Sequence, residues 1–169
     1  RRFLHYLHYY LICRLPCHKV FISKHSKNQF CSKFSFLDQK HLVVTPNSTV
    51  NDLESDFKAY APKLQFNSKK IIVTVGALRP HKFQDGLIQA FLEKNLFLEF
   101  DLFIVGKFYK RFNKYYERLL DLSDAYPEIR FLDNLSDAEL SVVLRNCWVA
   151  VVPSLAEGFG LTLSECYKL

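Results

Sequence analysis

The chain has 169 residues, is 49% hydrophobic and 24% charged, and carries a formal net charge of +6. A chain of this length buries roughly 70% of its unfolded surface, which is enough for one sizeable core. No apolar run reaches the roughly 20 residues that a membrane-spanning helix needs, and the first residues hold too many His, Tyr and Arg for a signal sequence. The chain has no Met, begins Arg1-Arg2 and stops shortly after a helical pattern opens, so an excerpt of a longer protein is expected. The charge is uneven: residues 1–45 hold 8 Lys/Arg against 1 acid, and the remainder 15 against 16. Such a basic third, interleaved with Phe and Tyr, would favour an anionic membrane surface or nucleic acid; a solvated domain face is an equally good account.

In chain order, Leu4, Leu7, Leu11 and Leu15 form a helical stripe over residues 3–15, followed by Pro16. Lys19 to Ile22 is a short strand, and Ser23 caps a polar helix to about Phe36. His41 to Thr45 is a second strand, and residues 46–49 are a turn. Residues 51–60 read as a short helix, and the polar stretch after it, Ala61 to Lys70, as a linker. Five cysteines (Cys13, Cys17, Cys31, Cys147, Cys166) lack the spacing of a disulfide scaffold and fit a reducing compartment. Cys13, Cys17, His18, His25 and Cys31 lie close in sequence but do not make a compact zinc pattern, so they read as structural residues.

From Lys70 onward, strands and helices alternate. Ile71 to Val75 is a buried strand, and Gly76 to Asp85 is a loop. Gly86 to Leu98 is a helix with Leu87, Ala90, Phe91 and Leu92 inward. Asp101 to Val105 is the second strand. Tyr109 to Ala125 is a helix whose core face holds Phe112, Tyr115, Tyr116, Leu119 and Leu120. Ile129 to Leu132 is the third strand. Ser136-x-x-Glu139 is a capping box that opens a helix with Leu140, Val143 and Leu144 inside. Trp148 to Val152 reads as a fully buried fourth strand, followed by Glu157, the turn Gly158-Phe159-Gly160 and a segment with helical spacing.

Such alternation predicts an α/β fold, a doubly wound parallel Rossmann-like sheet with strand order 3-2-1-4, its later strands absent from this chain. In that order the loops after the first and fourth strands face one crevice, so Arg79 and Lys82 would meet Glu157 and Glu165 there. The glycines let the backbone approach a ligand, and a helix start offers free N–H groups to an anion. Carboxylates repel phosphate, so their work beside it is to accept hydrogen bonds from hydroxyls. Together these groups point to a sugar nucleotide.

Pro153-Ser-Leu-Ala-Glu157-Gly-Phe-Gly-Leu-Thr-Leu-Ser-Glu165 resembles the Glu-x7-Glu motif of retaining GT-B glycosyltransferases of family 4, the glycosyl transferases group 1. Val75-Gly76-Ala-Leu-Arg79-Pro-His-Lys82 resembles that family's phosphate loop, and Phe131 to Leu140 the segment near the nucleotide base. Val20 to Lys27 and Val43 to Asn47 resemble the end of its N-terminal domain and the crossing between domains. The chain departs from the family pattern at Ala77, where a second cation is usual, and at Ser48, where glycine is usual.

The resemblance implies a GT-B fold in three parts. Residues 1–50 would end the acceptor domain and make the crossing, residues 51–70 would be a linker, and residues 71–169 a truncated nucleotide-sugar domain. It implies transfer of a hexose-type sugar, with retention, from a UDP-sugar or GDP-sugar to a saccharide or lipid-linked acceptor, in cell-surface polysaccharide or lipopolysaccharide synthesis. Lys82, Arg79 and Glu157 would be catalytic. Glu165, Gly76, Gly158, Phe159, Gly160, Leu161, Thr162 and Leu132 would bind the donor, with Glu165 on the ribose hydroxyls. No Asp-x-Asp occurs in the chain, so metal-independent chemistry without a cofactor is expected. The expected location is cytoplasmic, peripheral on the inner face of the membrane through residues 1–45, with no nucleic-acid partner. The fragment alone is expected to be inactive.

Two rivals differ in class. A dinucleotide enzyme needs Gly-x-Gly-x-x-Gly after a first strand, which Gly76-Ala-Leu-Arg79-Pro does not supply. A non-catalytic basic surface binder would show salt-sensitive binding without nucleotide binding.

Overall fold

The computed structural model describes residues 7, 10, 11, 13–15, 17–37, 42–45, 66 and 69–157. The chain divides into two compact units, Arg1–Ser48 and Thr49–Leu169. The expected helix at 51–60 and most of the expected linker lie outside the described residues.

In the first unit, Leu7, Tyr10, Leu11, Cys13 and Arg14 are helical. Strand β1 (Lys19–Phe21) pairs in parallel with β2 (Leu42–Val44), and helix α1 (Lys24–Lys33) connects them. Ser23 caps α1 as the sequence predicts, its side chain accepting from the Ser26 amide at 3.0 Å. The helix stops at Lys33, short of Phe36. Phe34 turns inward to 3% exposure and packs its ring 4.8 Å from Phe30, which takes the chain out of the helix.

The second unit is one four-stranded parallel sheet in the order β5-β4-β3-β6. The strands are β3 (Lys70–Val75), β4 (Phe100–Val105), β5 (Ile129–Leu132) and β6 (Val149–Ala150). In chain order that is 3-2-1-4. Helices α2 (Gln84–Glu93), α3 (Asn113–Ser123) and α4 (Asp137–Asn146) follow the first three strands. Strand alternation divides the core. Ile72, Leu102, Ile104 and Ile129 pack with Ile88 and Phe91 of α2 and with Tyr115 and Leu119 of α3. Ile71, Val73, Phe103 and Val105 pack with Val142, Val143 and Leu144 of α4. A sheet buried on both faces is the reason these strands read as unbroken apolar runs.

Several sequence expectations are corrected. Helix α2 starts two residues early and ends at Glu93, because Asn95 takes a left-handed φ of 53° and a 3-10 turn follows at Leu96–Leu98. Its buried stripe is Gln84, Asp85, Ile88 and Phe91, which leaves Ala90 exposed. The segment Lys110–Phe112 is a 3-10 turn before α3, and Leu120 is exposed rather than inward. The fourth strand is two residues long, with Trp148 66% and Val149 42% exposed, not fully buried. Among the described residues β6 has only β3 as a neighbour, and the Lys70 ammonium lies 4.1 Å from the centre of the Trp148 ring.

The carboxyl ends of the strands are fitted closely together. The Gly76 amide donates to the Val105 carbonyl at 2.9 Å, and the Gly106 amide to the Leu132 carbonyl at 3.1 Å. A Cβ on Gly106 would stand 1.9 Å from the Gly76 carbonyl oxygen, so only glycine lets β4 pass the loop after β3 at this distance. Among the described residues no helix is long and apolar enough to cross a membrane.

Candidate functional site

The loop after β3 folds back over its own glycine. Pro80 opens a 3-10 turn through Lys82, and Phe83, with a left-handed φ of 56°, turns the chain into α2. The Lys82 methylenes thereby lie 3.7 Å from where a Cβ on Gly76 would be. The Lys82 ammonium donates to Glu157 Oε1 at 2.5 Å, and the Ser154 hydroxyl to the same oxygen at 2.6 Å. The Leu155 amide donates to the His81 carbonyl at 2.9 Å. An ion pair and a main-chain bond thus join the loops after β3 and β6, although 75 residues separate Lys82 from Glu157.

Burial pushes the Glu157 carboxyl up, but the hydrogen bonds from Lys82 and Ser154 and the nearby charges of Lys82 and His81 outweigh it. The net shift is below the ordinary carboxylate value of 4.5. A depressed folded-state value stabilises the fold above the unfolded value, and that contribution disappears as pH falls through the folded one. The stability difference between the wild type and Glu157→Gln, read by thermal unfolding, should therefore be full at neutral pH and close below the ordinary carboxylate value. A difference that stays constant down to pH 3 would show that the ion pair does not form in solution.

Two side chains beneath the loop hold it in place. Gln84, 2% exposed, donates to the Ala77 carbonyl at 3.1 Å and accepts from the Tyr115 hydroxyl at 3.0 Å. Asp85 Oδ1 stands 3.1 Å from the same hydroxyl, which accepts from the Asp85 amide at 3.3 Å. Burial, with the Asp85 carboxylate alongside, pushes Tyr115 up to about 12, so its hydroxyl keeps the proton that serves these acceptors. Arg118 closes the group with an ion pair of 3.2 Å to Asp85.

Beside this loop, a cavity of about 270 Å³ opens over the ends of β3, β4 and β5, lined by Val75, Val105, Gly106, Lys107, Leu132, Asn134, Leu135 and Leu140. Its wall is mainly apolar, with Lys107 and Asn134 as the polar side chains. Leu132, expected near the nucleotide base, lies in this wall.

Arg79 points elsewhere. Its guanidinium carbon is 4.8 Å from the Tyr109 ring centre and 5.9 Å from that of Phe112, and its Nε is buried without a hydrogen-bond partner. Gly158, Phe159, Gly160, Leu161, Thr162 and Glu165 lie outside the described residues. Among the described residues no group of three or more His, Cys, Asp or Glu could hold a metal ion. Sequence reasoning gave no role to Ser154, Gln84 or Lys107, and placed Tyr115 only on the core face of its helix, where it is buried. The hydroxyl of Ser154, three residues before Glu157 in an irregular stretch, was the one local signal available. A glutamine at a helix start reads as solvated until the sheet beneath it is known.

The structure is similar to that of the Anabaena protein HepE solved with UDP and glucose, with TM-score 0.79 and 18% identity over 94% of this chain and 44% of that one. It is also similar to WaaG, a glycosyltransferase involved in lipopolysaccharide biosynthesis, with TM-score 0.71 and 17% identity over 88% of this chain and 41% of that one. A third likeness is to sucrose-phosphate synthase from Thermosynechococcus elongatus, with TM-score 0.69 and 20% identity over 87% of this chain and 37% of that one. The chain spans less than half the length of each of these proteins. No curated protein sequence matches it. The parallel α/β sheet corresponds to the carboxyl-terminal domain of GT-B glycosyltransferases. A family profile described as glycosyl transferases group 1 matches residues 56–168. That match takes in every strand of the sheet and both joined loops, and the chain belongs to the glycosyl transferases group 1 family.

Proposed function

We propose that the protein transfers a hexose-type sugar, with retention, from a UDP-sugar or GDP-sugar to a saccharide or lipid-linked acceptor. The observation that carries this reading is the joining of Lys82 to Glu157 across two loops at the carboxyl ends of parallel strands, beside an apolar cavity. Open α/β sheets bind ligands at that end. The solved HepE complexes with UDP and with UDP-glucose give the donor class its support.

In this reading Lys82, the Gly76 backbone and the amides of Gly158 to Thr162 hold the diphosphate. Glu157 accepts from hydroxyls of the transferred sugar, Glu165 from the ribose, and Leu132 flanks the base. Cleavage of the glycosyl–phosphate bond leaves an oxocarbenium-like sugar and a diphosphate that gains negative charge. A cation and amides already fixed where that charge grows need no reorganisation during the reaction. The chain has no Asp-x-Asp, which supports charge neutralisation by protein groups without a metal. Arg79, stacked on Tyr109 and Phe112, then stiffens the loop rather than meeting the phosphates.

Residues 1–50 belong in this account to the acceptor domain and crossing, residues 51–70 to a linker, and residues 71–169 to the donor domain. The basic residues 1–45 face an anionic inner membrane surface, where surface polysaccharide or lipopolysaccharide acceptors are found. Calorimetric titration of the intact protein with UDP and GDP tests the donor. One of the two should bind, and Glu165→Ala should weaken it by about 10- to 150-fold, the worth of hydrogen bonds to an ionised carboxylate. Unchanged affinity would remove Glu165 from the ribose, and no binding of either nucleotide would remove the donor class.

A further inference from the structure

Lys82 is the cation on the folded loop, but its ammonium is already paired with the Glu157 carboxylate, so the two together present no net charge. A nucleoside diphosphate leaving group carries more than one negative charge at neutral pH. The other cation of the loop, Arg79, is committed to two aromatic rings. Lys107 has no carboxylate partner among the described residues, and its ammonium lies 6.0 Å from the centre of the Tyr109 ring, farther than the 4.8 Å of the Arg79 guanidinium. It is exposed, lines the cavity together with Val75 and Gly106, and among the described residues forms no ion pair. Its backbone is fixed to the loop, because the Leu78 amide donates to the Lys107 carbonyl at 3.1 Å. Its neighbour Gly106 abuts the Gly76 carbonyl. The Lys82 side chain thus lies against Gly76, and the Lys107 backbone is bonded to Leu78 of the same loop.

We propose that Lys107, from the loop after β4, is the second cation that binds the diphosphate of the donor, with Arg79 serving as a structural brace. This inference rests on the reading of the cavity and loop as a nucleoside-diphosphate site. A compact ammonium on a flexible stem suits the task, since it can swing between the cavity mouth and a phosphate oxygen. The Arg79 guanidinium, 4.8 Å from the centre of the Tyr109 ring, would have to give up that contact to do the same.

The test uses the intact protein and whichever of UDP and GDP it binds, with the corresponding monophosphate and nucleoside as probes. Lys107→Gln should weaken the diphosphate about tenfold or more, the monophosphate less, and the nucleoside not at all, as expected for a lost charge-assisted hydrogen bond. Lys107→Arg, which keeps the charge, should restore most of the affinity. Arg79→Gln, which removes the contacts with Tyr109 and Phe112, should lower the unfolding temperature. The Lys107 side chain is exposed, so Lys107→Gln should keep the wild-type unfolding temperature. Equal losses for all three probes would overturn the inference, because Lys107 would then act on the base or on the shape of the pocket. Unchanged diphosphate affinity in Lys107→Gln, alongside weakened binding in Lys82→Ala, would also overturn it while leaving the proposed site intact. No change in either variant would overturn both.

Discussion

Lys82→Ala should lower turnover by about 10²–10³, the usual cost of removing one fixed donor that meets charge developing in a transition state. The substitution removes the ammonium that bonds Glu157 Oε1 and, in the proposed site, would leave that carboxylate beside the diphosphate without its counter-charge. Loss of attraction and gain of repulsion act in the same direction, so affinity and turnover should both fall. The side chain contributes no apolar packing to the core clusters, and the loop keeps its main-chain bond between Leu155 and His81. The variant should therefore fold with the wild-type dichroism spectrum while steady-state sugar transfer is nearly abolished. Wild-type turnover in Lys82→Ala would show that the diphosphate lies elsewhere.

Phe103→Ala should have the largest effect on stability. Phe103 is fully buried at the centre of β4, between Val73 of β3 and Arg130 of β5. Its ring stacks on Phe66 at 6.2 Å between ring centres, carries the Arg130 guanidinium at 4.5 Å, and packs among Val142 and Val143 of α4. Truncating a buried phenylalanine removes these contacts and leaves a cavity, at a cost of about 3–5 kcal/mol. That is a large part of the roughly 5–15 kcal/mol that holds a domain together. Chemical unfolding followed by far-ultraviolet dichroism should show the midpoint move sharply down; a midpoint within error of the wild type would mean that β4 is not the centre of this core.

What could be read in the sequence was what neighbouring residues determine. The Ser136–Glu139 capping box forms in full, the Glu139 carboxylate accepting from the Ser136 amide at 2.8 Å and the Ser136 hydroxyl from the Glu139 amide at 3.3 Å. Ile129–Leu132 is a strand at the predicted bounds, and Ser23 caps its helix. The parallel sheet followed from alternating strands and helices, and the common doubly wound order taken for it, 3-2-1-4, is the one observed and brings Lys82 to Glu157. What could not be read depends on partners distant in the chain. The contacts of Arg79 with Tyr109 and Phe112, which come from the loop after β4, cannot be read from its own loop. Gln84 looks solvated until Tyr115 of α3 closes over it. The left-handed turns at Phe83 and Asn95, which set the phase and length of α2, leave no glycine in the sequence to mark them.

The account turns on one cleft shared by the loops after β3 and β6. A crystal structure of the intact protein with its nucleoside diphosphate tests this directly. The diphosphate should lie within hydrogen-bond distance of the Lys82 ammonium and the Gly76 backbone, with the base over Leu132 and Glu157 on the sugar side. A nucleotide bound away from these residues, or Lys82 and Glu157 on separate surfaces, would contradict it.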